Sequence, residues 1–130
     1  MKSLVVEDEM SARMLLSHIL SEYGPCDLAE NGQEALEAFH ESLADEKPYD
    51  LLCLDIMMPE MNGHEVLKSV RELEEQNGIH GLDGVKIIMT TALDDSQNIF
   101  AAFREQCEAY LVKPIRKEKL IECMQEMKVI

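Results

Sequence analysis

The feature that most constrains the fold of this chain is a regular alternation of short apolar runs with longer amphipathic segments. Five runs of strand length occupy residues 3–6, 26–29, 51–54, 85–89 and 110–112. Each run is followed by a stretch whose apolar side chains recur at helical spacing. A strand–helix unit repeated five times predicts an α/β fold, with a parallel sheet covered by helices on both faces.

Two segments of this series need separate description. The fourth predicted helix begins after capping side chains at residues 94–96 and turns Ile99 and Phe103 inward. The third predicted helix is followed by residues 74–84, which are first acidic and then rich in glycine. Two interpretations of residues 74–84 stay open, a partner contact and a plain surface insertion, and the insertion is favoured.

Length, composition and charge restrict the class of protein. With 130 residues the chain fits a single domain, residues 1–130. No apolar run reaches the roughly 18 residues of a membrane span, and the first residues lack the apolar stretch of a signal peptide. We therefore expect a cytoplasmic protein without a membrane partner. The net charge of −14 repels phosphate backbones, which disfavours direct nucleic-acid binding.

The cysteines and histidines do not predict a zinc site. The four cysteines contain no C-x-x-C pair, and the four histidines lie at no ligand spacing from them. Cys53 lies inside an apolar run, which indicates packing in the core. We expect free thiols throughout.

Polar side chains appear where four of the predicted strands end. Glu7 and Asp8 follow the first strand, and Asp55 follows the third. Thr91 follows the fourth strand, and Lys113 follows the fifth. Ligands of such folds bind at the carboxyl ends of the strands, so we expect these side chains to line one cleft. Each residue alone has an ordinary explanation as a turn, cap or solvated residue, but their joint placement does not.

The charges of this cleft favour a divalent cation. Carboxylates at close range repel one another, and a hard dication with oxygen ligands offsets the repulsion. We expect Mg²⁺, with Mn²⁺ as the alternative ion. Together with the cation, the Lys113 ammonium and the Thr91 hydroxyl could cradle phosphoryl oxygens. Asp55 would then be the nucleophile, because it ends the most buried strand.

Four motifs of the sequence resemble those of the receiver domain of two-component response regulators. They are LVVED at residues 4–8, LDIMMPEMNG at 54–63, MTTA at 89–92 and AYLVKP at 109–114. The motifs stand in the family's order and spacing and extend over nearly the whole chain. The resemblance implies a flavodoxin-like (βα)5 three-layer sandwich, in which five parallel strands have the order 2-1-3-4-5.

The resemblance also implies a metal site. Asp55 would be the phosphoacceptor. Asp8, Asp55 and the backbone carbonyl of Met57 would bind Mg²⁺ directly, and Glu7 would bind it through water.

The remaining motif residues would respond to phosphorylation. Thr91 and Lys113 would contact the phosphoryl group, and the bond between Lys113 and Pro114 would be cis. Tyr110 would be an aromatic switch that turns inward when Thr91 moves, although a plain half-buried aromatic is the competing interpretation. Phosphorylation adds about one negative charge and new acceptor oxygens. We expect this to bias a surface made by helix four, strand five and helix five of the predicted series.

The resemblance implies a signalling role rather than turnover of an external substrate. The chain would be a stand-alone switch that accepts a phosphoryl group from a sensor histidine kinase or a phosphotransfer protein. It would then regulate a downstream protein target, and a dimer that depends on phosphorylation is a further state to test. The chain would catalyse only its own phosphorylation and dephosphorylation.

One departure from the family concerns hydrolysis of the phosphorylated form. In this family, the residues two beyond the phosphoacceptor and two beyond the threonine line the path of the attacking water. Here those residues are Met57 and Leu93, which are apolar and cannot orient water by hydrogen bonding. We predict slow self-dephosphorylation. Simple packing of both side chains against neighbours is the alternative.

Three rival functions have specific sequence requirements. An aspartyl phosphatase usually carries a second aspartate two residues after the first, where this chain has Met57. A nucleotide- or flavin-binding fold needs a glycine- or hydroxyl-rich loop after the first strand, whereas residues 7–9 are all acidic. A pseudo-receiver that only binds partners would lack one of the key residues, and all are present.

Overall fold

The structure, a computed structural model, describes residues 1–91 and 107–130. These residues contain five parallel strands, which form one sheet in the order β2-β1-β3-β4-β5. The sheet order confirms the predicted flavodoxin-like α/β fold. The strands are β1 (Ser3–Val6), β2 (Cys26–Ala29), β3 (Leu51–Asp55), β4 (Lys86–Thr91) and β5 (Ala109–Val112).

In the described residues, three α-helices and two short 3-10 helices lie between strands, and a fourth α-helix follows β5. The α-helices are α1 (Met10–Leu20), α2 (Gly32–Ala44), α3 (Gly63–Gln76) and the C-terminal helix (Lys117–Glu126). The 3-10 helices are Ser21–Tyr23 and Gly81–Asp83. The fourth predicted helix, with its caps at residues 94–96 and with Leu93, Ile99 and Phe103, lies outside the described residues.

Asparagine side chains start α2 and α3 directly after the loops that follow two strands. The Asn31 Oδ1 accepts a hydrogen bond from the Glu34 N–H at 2.9 Å, and the Asn62 Oδ1 accepts one from the Glu65 N–H at 3.0 Å. Both bonds satisfy a donor that the first helical turn leaves free. The loops after β2 and β3 therefore each end at a helix whose first turn is capped by an asparagine side chain.

The core lies on both faces of the sheet, as expected for a three-layer sandwich. On one face, Leu52 and Leu54 of β3 pack in the cluster that α2 and α3 cover. On the other face, Leu51 and Cys53 pack in the cluster under α1 and the C-terminal helix. Cys53 is buried and free, which confirms its place in the core. Every residue of β3 is buried, so Asp55 ends the strand that the rest of the fold encloses.

Residues 74–84 are more ordered than the predicted loop. α3 extends to Gln76, and Gly81–Asp83 form a 3-10 turn before β4. Glu74 is buried because its carboxylate reaches back to the Arg71 guanidinium and to the Val85 N–H. One acid of this segment is thus an internal anchor rather than part of the surface. In the part of the chain that the structure describes, every helix is too short or too polar to cross a membrane.

Candidate functional site

Strand pairing brings the polar side chains of the motifs to one edge of the sheet. Val6 pairs with Leu54 across β1 and β3, so the next residues, Glu7 and Asp55, lie side by side at the carboxyl ends of the two strands. Asp55 itself pairs with Thr90 of β4. A slip of one residue would move each apolar side chain of β3 from one core cluster to the cluster on the other face of the sheet. The site is therefore a direct product of the sheet register.

Three carboxylates meet at this edge. One oxygen each from Glu7, Asp8 and Asp55 can be chosen so that all three lie within 4.8 Å of one another. Glu7 is fully buried and Asp55 is 3% exposed, whereas Asp8 faces solvent. Repulsion between two such buried carboxylates is weakly screened. The predicted acidic cluster is thus present as a spatial arrangement.

Lys113 places an ammonium against two of these carboxylates, those of Glu7 and Asp55. Its Nζ lies 2.8 Å from Glu7 Oε2 and 3.3 Å from Asp55 Oδ2. The Lys113 N–H also donates to the Thr91 carbonyl oxygen at 2.6 Å, which continues the ladder between β4 and β5. The peptide bond between Lys113 and Pro114 is cis. One ammonium against three carboxylates leaves the cluster with excess negative charge.

The excess charge appears in the pKa values of the site. Burial, followed by hydrogen bonding and charge repulsion from Glu7, raises the pKa of Asp55 to about 7. Lys113 and the Met57 N–H oppose this rise. For Lys113, burial alone would lower the pKa, but Glu7 and Asp55 outweigh it, so that the pKa of the ammonium is raised. Without further positive charge, the Asp55 carboxyl is therefore only partly ionised near neutral pH.

The loop after β3 fixes the orientation of the Asp55 carboxylate. Its Oδ1 accepts a hydrogen bond from the Met57 N–H at 3.1 Å, while the Met57 side chain is 65% exposed. The Gly63 N–H donates to the Ile56 carbonyl at 2.9 Å. A Cβ at position 63 would lie 2.5 Å from the Asp55 carbonyl oxygen. Only glycine lets the start of α3 approach the strand end so closely.

Arg13 is a residue of this region to which the sequence analysis gave no role. Its side chain is 11% exposed, and its Nη1 donates to the Glu7 carbonyl at 3.0 Å. Its Nη2 lies 3.4 Å from Glu30 Oε1. The signal in the sequence was an arginine on the buried face of α1, three residues before Leu16. Gly63 was also missed, although it stands inside one of the quoted motifs.

The other motif residues, Thr91 and Tyr110, lie near the acidic cluster or in the core beside it. Thr91 is buried and ends β4, next to the residue that pairs with Asp55. Tyr110 is half-buried and packs against the core cluster under α2 and α3, which fits both interpretations of its role. Leu93 lies outside the described residues.

The donor set fits a hard divalent cation. Three carboxylate oxygens can converge from two strand ends, and the exposure of Asp8 leaves one side open to water or a phosphoryl oxygen. A small dication that keeps several waters and takes a few carboxylates matches this arrangement. The nitrogen and sulfur ligands of a zinc site are absent from this group of residues.

Comparisons with known proteins agree with the fold. The family model of the response regulator receiver domain matches residues 3–125, and the chain therefore belongs to that family. The chain is similar to the chemotaxis protein CheY of Thermotoga maritima, with 29% identity over 95% of this chain and 94% of that protein. It is 35% identical to the regulatory protein VanRB of Enterococcus faecalis, but spans only 48% of that protein's length.

A solved structure shows the same architecture. The receiver domain of the histidine kinase CKI1 from Arabidopsis thaliana, crystallised with Mg²⁺ and BeF₃⁻, superimposes with a TM-score of 0.86. The two chains are 25% identical over 99% of this chain and 90% of that one.

Family membership defines the general function of the chain. Receiver domains of two-component systems are phosphoacceptor signalling switches, and this chain is one of them. Such domains bind Mg²⁺ at an acidic pocket. They interact with histidine kinases or phosphotransfer proteins and with downstream targets.

Proposed function

We propose that Asp55 accepts the phosphoryl group and that Glu7, Asp8 and Asp55 hold Mg²⁺, or Mn²⁺ in its place. The observation that carries this proposal is the excess of negative charge, three close carboxylates against one ammonium. The backbone carbonyl of Met57 is a further proposed ligand. When bound, the cation would supply the positive charge that keeps the carboxylates ionised and neutralises phosphoryl oxygens.

The transfer step that we propose conserves atoms and charge. An oxygen of the ionised Asp55 carboxylate forms a bond to the phosphorus of a phosphohistidine in the donor protein. The bond between the phosphorus and the imidazole nitrogen breaks, and that nitrogen keeps the electron pair. The second ring nitrogen of the phosphohistidine carries a proton when the bond breaks, so the donor leaves as a neutral imidazole. Asp55 becomes an acyl phosphate.

The residues around Asp55 have distinct roles in this step. The Met57 N–H holds Oδ1 and leaves Oδ2 beside the Lys113 ammonium. Lys113 would contact the phosphoryl oxygens as they arrive, because the ammonium already lies 3.3 Å from the attacking carboxylate. The Thr91 hydroxyl would donate a hydrogen bond to the same phosphoryl oxygens. Tyr110 would turn inward when Thr91 moves.

The proposed output is a change in protein contacts. Movement of Thr91 and Tyr110 would alter the surface formed by β5, the C-terminal helix and the fourth helix of the predicted series. A sensor histidine kinase or a phosphotransfer protein would supply the phosphoryl group, and a protein target in the cytoplasm would read the new surface. Formation of a dimer on phosphorylation belongs to the same proposal. Slow hydrolysis, without turnover of an external substrate, would keep the signal on.

The test is chemical phosphorylation of the purified chain. Incubation with acetyl phosphate and Mg²⁺ should add one phosphoryl group to the intact mass, and omission of Mg²⁺ should abolish the addition. Asp55→Asn should remove it as well. Asp83→Asn is the matched control, because it makes the same charge change at an exposed residue beside β4's start.

Two outcomes would contradict the proposal. Labelling that persists in Asp55→Asn would place the acceptor elsewhere. Sustained release of phosphate from small substrates would favour the phosphatase function instead.

A further inference from the structure

We propose that Arg13 is a positioning residue for the acidic loop, and that it acts together with Glu30. This inference rests on the proposed function, because it concerns how Glu7 and Asp8 are presented to the metal. Arg13 contacts the backbone carbonyls of Glu7 and Asp8 and the Glu30 carboxylate, so it would act on the metal through other residues. Its role would be to set the geometry of the backbone that carries both carboxylates.

The backbone of Glu7 is held from two sides. Its N–H donates to the Ala29 carbonyl at 3.1 Å, and its carbonyl accepts from the Arg13 Nη1 at 3.0 Å. The Asp8 carbonyl lies 3.5 Å from the same nitrogen. Arg13 therefore contacts the two consecutive carbonyls of the acidic pair. Loss of its guanidinium would free the peptide between Glu7 and Asp8 to rotate.

The Glu7 side chain is fixed as well. Its Oε1 accepts from the Glu9 N–H at 3.3 Å, and its Oε2 faces the Lys113 ammonium at 2.8 Å. With the carboxylate and backbone both restrained, the position of Asp8 depends on the peptide that Arg13 contacts. Small errors there matter, because a metal site binds well only when its ligands are already in place.

The ion pair between Arg13 and Glu30 does not by itself explain why Arg13 is buried. The Glu30 side chain is 65% exposed and the pair is 3.4 Å long, so the pair contributes little to stability. Its geometric effect is larger. Glu30 holds Nη2 while Nη1 bonds to Glu7, and this fixes the plane of the guanidinium. The loop after β2 thus supports the loop after β1.

The test compares Mg²⁺ affinity with stability in the absence of Mg²⁺. We expect Arg13→Gln to raise the Kd for Mg²⁺, measured by calorimetry on the folded protein, by about tenfold. Arg13→Lys should recover part of the affinity, because an ammonium can still reach one carbonyl. Glu30→Gln should have a smaller effect, in the same direction as Arg13→Gln.

Arg71→Gln is the matched control. Arg71 is also nearly buried, and it also donates to a backbone carbonyl, that of Val85 at 3.0 Å, at the opposite edge of the sheet. Its substitution should lower the melting temperature without changing the Kd for Mg²⁺. A purely structural role for Arg13 predicts the same result for Arg13→Gln, and that result would overturn the inference.

The outcomes separate this inference from the proposed function. An unchanged Kd in Arg13→Gln would remove the positioning role and leave Asp55 as the acceptor. A raised Kd together with unlabelled Asp55 would support the positioning role and overturn the acceptor assignment. Absence of Mg²⁺ binding in the unmodified protein would overturn both.

Discussion

Buried acids lie at both ends of the parallel strands, but their partners differ. The amino-terminal ends of the strands form the amino edge of the sheet, and the carboxyl-terminal ends form the carboxyl edge. At the amino edge, Glu74 Oε1 accepts from Arg71 and its Oε2 accepts from the Val85 N–H, each at 2.6 Å. Glu108 at the same edge accepts from Arg71 at 3.1 Å and from the Ile87 N–H at 2.5 Å. At the carboxyl edge, Glu7 and Asp55 share Lys113, and the Asp8 carboxylate lies close to both acids.

This difference shows that burial of an acid does not by itself mark a functional site. Burial raises the pKa of Glu108 as it raises that of Asp55. Glu108 is nonetheless matched by backbone donors and an arginine, whereas Asp55 faces Glu7. The amino edge is complete as it stands and holds α3, β4 and β5 together. The carboxyl edge needs a further positive charge, which is what a metal and phosphoryl site requires.

The largest effect is expected at the amino edge. Glu74→Gln should lower the free energy of unfolding by about 3 kcal/mol, because one amide cannot accept from both Arg71 and the Val85 N–H. Urea unfolding measures the loss. Glu75→Gln is the control, because Glu75 is exposed and its substitution should change little. A loss below about 0.5 kcal/mol in Glu74→Gln would show that the amino edge is not the anchor described here.

A gain in stability is expected at the carboxyl edge. Asp55→Asn should raise the free energy of unfolding by about 2 kcal/mol in Mg²⁺-free buffer near pH 8, because it removes a buried charge facing Glu7. Thermal unfolding with a chelator present is the measurement. The sign is opposite to that of Glu74→Gln, although both changes neutralise a buried acid. Destabilisation by Asp55→Asn would contradict the charge imbalance.

The gain in free energy of unfolding on Asp55→Asn should depend on pH. The pKa of Asp55 is raised from 3.8 to about 7, so the folded protein binds more protons than the unfolded chain between these values. Stability of the unmodified protein therefore falls as pH rises through this range, relative to Asp55→Asn. The difference between the two proteins should be largest above pH 7 and shrink toward about pH 4. A difference that is constant with pH would exclude Asp55 as the titrating group.

The smallest effect concerns hydrolysis at the carboxyl edge. Met57→Asn should speed loss of the phosphoryl group by about tenfold, because an amide can orient the attacking water. Decay of the phosphorylated mass after removal of acetyl phosphate measures the rate. Met14→Asn, at another exposed methionine, should leave the rate unchanged. Equal rates in all three proteins would favour the view that Met57 only packs locally.

The features that sequence predicts best are those set by periodicity. The apolar runs predicted the strands of the sheet, and the strand ends then predicted that Glu7, Asp8, Asp55 and Lys113 would meet. Both inferences depend on local patterns. Continuous apolar runs indicate strands, and apolar residues at helical spacing indicate helices, so the sequence shows to which element each residue belongs. The ends of elements were less accurate, since hydrogen bonding extended β4 to Thr91 and β3 to Asp55.

The features that sequence did not predict depend on contacts between distant segments. Arg13 reads as an ordinary charged residue until α1 packs and its guanidinium meets the Glu7 carbonyl. Glu74 belongs to an acidic stretch that the sequence indicates to be exposed. Its burial becomes evident only from the hydrogen bond that its carboxylate accepts from the Val85 N–H. The need for glycine at position 63 follows from its close approach to the Asp55 carbonyl oxygen. Residue spacing in the sequence does not reveal that approach.

The position of Lys113 within the sheet has a consequence for local opening. β3, which carries Asp55, is bonded to strands on both sides, whereas β5, which precedes Lys113, is bonded only to β4 in the described sheet. Amide hydrogens of β5 should therefore exchange with solvent sooner than those of β3. Each such opening would withdraw the ammonium and leave the carboxylates in place, so the charge around Asp55 would change without unfolding of the core.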